Sequence, residues 1–166
     1  MKKVSVIAII VLVVVIPLLL FVFSRKGNIS IPLVEGLSWK STPNQTAQLL
    51  GEPVEEWLDT QVTGKNIYIY GTNIFGREAS VRVFFLNNKI PTDLYFTWEH
   101  CDEDFFDQVY ECMYSYCKEK NFFVDKTSYS QHDKYISINK TNGTTMISYT
   151  IIQDGTTVRV NCVKRS

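Results

Sequence analysis

Seven stretches of this chain are rich in β-branched and aromatic residues, and their alternation most limits what it can fold into. They read "NIYIY", "ASVRVFFL", "TDLYFTW", "NFFVDKTSY", "KYISIN", "TMISYTIIQ" and "TVRVNCV". A period of two fits a strand with one face buried and does not fit a helix. "NNK", between Leu86 and Ile90, joins the second and third stretches as a hairpin. "GTNIFG", Gly71 to Gly76, reads as a looser turn. "KTNGT" and "DG" separate the last three strands, and Asn-Gly and Asp-Gly are strong hairpin signals.

Two segments break this rhythm. In "STPNQTAQLLGEP", Thr42 suits an N-cap, Pro43 the first helical position and Gln45 the capping-box position. The spacing predicts a helix over Pro43–Leu50, stopped by Gly51 in the left-handed cap position and by Pro53. Two turns are too short to stand alone, so Ala47, Leu49 and Leu50 must pack on a sheet. "LLGEP" is not a phosphate loop, because its Gly follows a helix instead of preceding one. In "DEDFFDQVYECMYSYCKEK", Phe105, Val109, Cys112 and Tyr116 fall on one stripe. Phe106, Tyr110, Met113 and Cys117 form the next. Acids at the start and Lys118 and Lys120 at the end suit the helix dipole.

At the N-terminus, Val4 to Phe23 is an uncharged run of twenty residues. As a helix it spans roughly 30 Å, the thickness of a bilayer's hydrocarbon layer. The reading is an uncleaved anchor in residues 1–26, a linker in 27–35 and an extracytoplasmic domain in 36–166. A cleaved signal and a secreted domain are the alternative. The fold class expected is therefore α+β: a transmembrane helix, then helices packed on antiparallel sheet, possibly in two similar halves.

The formal net charge is zero, but Lys2, Lys3, Arg25 and Lys26 flank the apolar run. The rest holds thirteen basic and seventeen acidic residues, a net −4. That sign argues against a nucleic-acid partner.

"GLSW", "LGEP", "YIYG" and "VRVFFLNNKI", between Gly36 and Trp98, resemble the small α+β envelope domain of the SmpA/OmlA (BamE-like) family. The same residues are similar to the comparably built β-lactamase inhibitor proteins. The resemblance implies a noncatalytic domain that works by binding another protein. The lipid-bearing Cys of the envelope family has no counterpart here.

Little points to catalysis. His100 and Cys101 are sequence neighbours, a poor arrangement for a nucleophile and its base, and His132 lies in a polar turn. His100, Cys101, Cys112 and Cys117 lack the paired spacing of a zinc site. No cofactor motif occurs. Within the chain one disulfide is feasible, joining Cys162 to Cys112 or Cys117. Alternation puts Ile67, Ile69, Val81, Val83, Phe85, Leu94, Phe96 and Trp98 on the face that receives the first helix. Tyr68, Tyr70, Arg82, Phe84 and Tyr95 then form the other face, where Tyr and Arg suit a protein interface. The functional expectation is a membrane-anchored, extracytoplasmic protein-interaction module with an unidentified protein partner. The alternative is a small enzyme or ligand sensor whose site is assembled from scattered polar residues.

Overall fold

A computed structural model describes residues 30–59, 64–129, 133–142 and 144–165. Helix α1 (Pro43–Leu50) precedes β1 (Glu55–Asp59), β2 (Lys65–Ile74), β3 (Arg77–Leu86) and β4 (Ile90–Trp98). Helix α2 (Glu103–Glu119) precedes β5 (Phe123–Tyr129), β6 (Asp133–Asn142), β7 (Thr145–Asp154) and β8 (Thr157–Arg165). All eight strands form one sheet in the order β1-β2-β3-β4-β8-β7-β6-β5. A helix followed by a four-stranded meander thus occurs twice, and the two fourth strands pair antiparallel.

This corrects the expected architecture. Among the described residues the fold is one continuous antiparallel sheet with two helices, and the expected transmembrane helix is not among them. Among the described residues no helix is long and apolar enough to cross a membrane. The apolar run Val4 to Phe23 lies outside the described residues. The segment read as a linker is, from Ser30 onward, part of the core. Ile31 and Leu33 are buried, the Ile31 amide donates to the Leu37 carbonyl at 2.8 Å, and Ser30 bridges to Ser38. Its carbonyls also serve the core, since Tyr116 Oη donates to Ser30 O at 2.7 Å.

Local chemistry explains both helices. The capping box of α1 closes in both directions: Gln45 N donates to Thr42 Oγ1 at 3.3 Å, and Thr42 N to Gln45 Oε1 at 2.9 Å. Gly51 ends the helix, but with φ 91° and ψ −179° it is extended at positive φ and not in the left-handed helical well. Only glycine adopts that region readily. Asp102 caps α2, its Oδ1 accepting from Phe105 N at 2.9 Å. The buried stripe of α2 is Phe105, Phe106, Val109, Met113 and Cys117. It packs on the sheet's inner face, where Trp98 meets Phe105 at 5.5 Å between ring centres and Tyr149 meets Tyr116 at 6.5 Å.

Two tight hairpins set the register of the first meander. Phe75 and Gly76 both have positive φ (59° and 76°), as do Asn87 and Asn88 (52° and 54°). Paired left-handed residues match the strand twist. The "GTNIFG" turn is therefore shorter than the sequence suggests: β2 runs through Gly71 to Ile74, and only Phe75-Gly76 turns.

Candidate open sheet face

The register decides which side chains share a face. Tyr68 stands opposite Val83 and Tyr70 opposite Val81, while Ile67 stands opposite Phe84 and Ile69 opposite Arg82. Val83 and Val81 continue to Leu94 and Phe96 on β4, then to Cys162 and Val160 on β8, all buried. That is the helix-covered face. Tyr68 and Tyr70, expected on the partner-binding face, therefore belong to the core, at 7% and 0% exposure. Ile67 and Ile69 trade places with them. The reason is the length of β2: carrying the strand through Gly71 to a two-residue turn fixes its pairing one step away from the expected phase.

Of the expected set, the structure brings Arg82, Phe84 and Tyr95 together on the opposite face. Arg82 is exposed, and Phe84 and Tyr95 are half-buried with ring centres 5.0 Å apart. Three rows cross this face. The first runs Trp57, Ile67, Phe84, Asp93, Val163 and Ser148. Beside it lie Glu55, Ile69, Arg82, Tyr95, Asn161 and Thr150. The third has Gly71, Ser80, Thr97, Arg159 and Ile152. Ser80, Arg82 and Arg159 are exposed and Ile69, Thr97, Asn161 and Val163 half-buried, while Ile67, between Trp57 and Phe84, is buried at 6% exposure, so among the described residues the face is open around Arg82 and closed at Ile67.

Its electrostatics are uneven. Lys65 pairs with Asp93, which also accepts from Thr92 Oγ1 at 2.7 Å. Burial, then the Asp93 carboxylate, pushes the Tyr95 hydroxyl upward from its ordinary pKa, so it stays a neutral donor. Arg82 makes no ion pair among the described residues. A groove of about 690 Å³ opens where the third row is small, lined in part by Ile69, Gly71, Ser80, Thr97 and Glu99. Gly71 has no positive φ, and a Cβ there would meet nothing within 4 Å. The charged residues at the rim do not converge. Arg77 turns to Asp102 at 3.0 Å, to the His100 carbonyl at 3.3 Å and over the Phe105 ring, while Glu78, Glu99 and His100 are exposed.

The residues read for chemistry sit apart. Cys101 is buried, its Sγ donates to Glu99 O at 3.6 Å, and burial pushes its thiol pKa up. That is the reverse of an activated nucleophile. His132 lies outside the described residues. Among the described residues no group of three His, Cys, Asp or Glu is placed to hold a metal ion. All four cysteines are unbridged in this structure, Cys162 and its feasible partners Cys112 and Cys117 included. Cys117 and Cys162 are both buried in the core, and burial is the first cause of the raised pKa of each.

Trp57 was missing from the expected set. It sits in a short acidic segment, Glu55-Glu56-Trp57-Leu58-Asp59, whose strand character alternation does not reveal. The exposed Trp after two acids was the available signal. No protein-family model, no curated protein and no solved structure matches the chain.

Proposed function

We propose that this chain is a noncatalytic interaction module that binds a partner protein through the open face of its sheet. The observation that carries the reading is the cluster of Phe84, Tyr95 and the exposed Arg82 at the middle of that face, flanked by Trp57. Aromatic residues and Arg dominate binding energy at interfaces, and a rigid sheet presents them already ordered. The resemblance of Gly36 to Trp98 to small envelope domains and inhibitor proteins points the same way. The small third row adds relief, a recess into which a partner side chain fits.

The test is a paired substitution, Arg82→Ala with Phe84→Ala, in the full-length chain. The double variant should melt within a few degrees of the wild type and lose the protein that the wild type retains on affinity purification from its native source. Undiminished retention of that protein by the folded double variant would overturn the reading.

A further inference from the structure

Strand β1 ends the sheet, and among the described residues no strand lies on its outer edge. Sheet edges in natural proteins are blunted by bulges, prolines, lysines or a covering segment, because an unpaired edge recruits other strands. The pairing of β1 with β2 is regular over all five residues, with no bulge, and the strand contains neither Pro nor Lys. Beside the unpaired backbone, Trp57 and Leu58 are each 53% exposed, one on either face, and Val54 just before them is 67% exposed. Such an edge keeps apolar cover for an added strand on both sides.

Charge identifies the kind of strand. Glu55 and Glu56 stand opposite Ile69 and Tyr68 on β2, and neither forms an ion pair among the described residues. A second copy of this chain is a poor occupant. Antiparallel pairing of β1 with itself about Trp57 sets Glu55 against Asp59 twice, and like charges directly opposite destabilise a sheet. A strand with basic residues satisfies both glutamates.

We infer that β1 is the docking edge for an extended segment of the partner protein, which joins the sheet as a ninth strand. The segment places Lys or Arg opposite Glu55 and Glu56 and apolar side chains opposite Trp57 and Leu58. Read along an antiparallel partner, the pattern is two apolar residues followed by two basic ones. This rests on the partner-binding reading above and names the partner's chemistry: backbone hydrogen bonds supply affinity, and the cross-strand pairs supply choice. Trp57 belongs to both surfaces, so a bound strand continues onto the open face.

The experiment titrates the full-length, isotope-labelled chain with two peptides, Thr-Val-Val-Lys-Lys-Thr and Thr-Val-Val-Glu-Glu-Thr, following backbone amide resonances. The Lys peptide should shift and protect the amides of Glu55 to Asp59, and the Glu peptide should bind about ten-fold more weakly. Glu55→Lys with Glu56→Lys should reverse that preference. Glu55→Gln with Glu56→Gln should erase it, which keeps the test decisive if the reversed variant does not fold. Equal response to both peptides, shifts outside β1, or a preference unchanged by either variant would overturn the inference. The Arg82→Ala with Phe84→Ala variant is scored separately, for retention of the partner. Loss of the partner in that variant, without any peptide response at β1 in the wild type, removes the docking edge alone. A peptide response at β1, with partner retention indifferent to Arg82 and Phe84, removes the open-face reading alone.

Discussion

Tyr70 stands directly opposite Val81 across β2 and β3, and both are fully buried. One step along the same ladder, Ile69 stands opposite the exposed Arg82. A strand has only two faces, so this pair fixes the phase of β2 and β3 and, from Asp93 onward, of β4; the bulge at Phe84/Phe85 interrupts the alternation before that. Tyr70→Ala should destabilise the domain by about 3–5 kcal/mol, as loss of a buried aromatic ring does. Phe84→Ala on the open face should change stability by less than about 1 kcal/mol. Denaturant unfolding of the two variants measures both, and equal losses would show that the faces are wrongly assigned.

The Tyr70 hydroxyl is buried and has no hydrogen-bond partner among the described residues. Burial first, then the nearby Tyr68, raises its pKa from 10.0 to about 12. Removing an unpaired buried hydroxyl while keeping the ring relieves a desolvation penalty, so Tyr70→Phe should be neutral or stabilising by up to about 1–3 kcal/mol. A clear loss of stability in chemical denaturation would mean that the hydroxyl has a partner.

Two glycines should respond in opposite directions. Gly51 has φ 91° with open space around it, so a side chain there is strained by backbone geometry alone. Gly51→Val should destabilise the domain by about 1–3 kcal/mol. Gly71 lies within β2 at ordinary φ, also in open space. Gly71→Ala should stabilise it by about 0.5–1 kcal/mol, since Gly weakens a strand interior. If Gly71 preserves the recess for a partner, the same variant should bind that partner less well. Thermal melts and one binding isotherm test the three outcomes.

Alkaline pH should loosen the core. Burial, and then Cys112, pushes Cys117 from its ordinary 9.0 up to about 12. A thiol whose folded pKa is raised contributes stability that is complete below the unfolded value and is lost as pH rises towards the folded one. Stability should therefore fall between about pH 9 and about pH 12. Cys117→Ala should lower stability at neutral pH and flatten that alkaline slope. An unchanged slope in the variant would assign the titration to other groups.

What was legible in the sequence was mostly local. Thr42, Pro43 and Gln45 lie within one helical turn, so their capping geometry is written in their spacing. The buried stripe of α2 follows from helical period in the same way. The "NNK" hairpin was legible too, because Asn tolerates the left-handed region. The phase of β2 was not. Ile67 and Ile69 alternate with Tyr68 and Tyr70, and both sets are apolar enough to be core, so burial cannot choose between them. Only the Phe75-Gly76 turn chooses, and a bulky Phe with φ 59° is not a turn residue that sequence favours. The pairing of β4 with β8 is a contact between strands far apart in the chain, with no local signature. Of the candidate face, the shared side of Arg82, Phe84 and Tyr95 was legible from the alternation of β3 and β4. Trp57 was hidden because five residues containing three acids do not look like a strand.

The central claim is that the open face of the sheet, and not the helix-covered side, meets another protein. Site-specific photo-cross-linking tests it most directly, with a photoreactive phenylalanine analogue placed at Phe84, at Tyr95, or at the exposed Glu111 of α2. The account expects a discrete heavier adduct with a second polypeptide from Phe84 and Tyr95, and none from Glu111. An adduct from Glu111 alone, or none from Phe84 and Tyr95 in native surroundings, would contradict it.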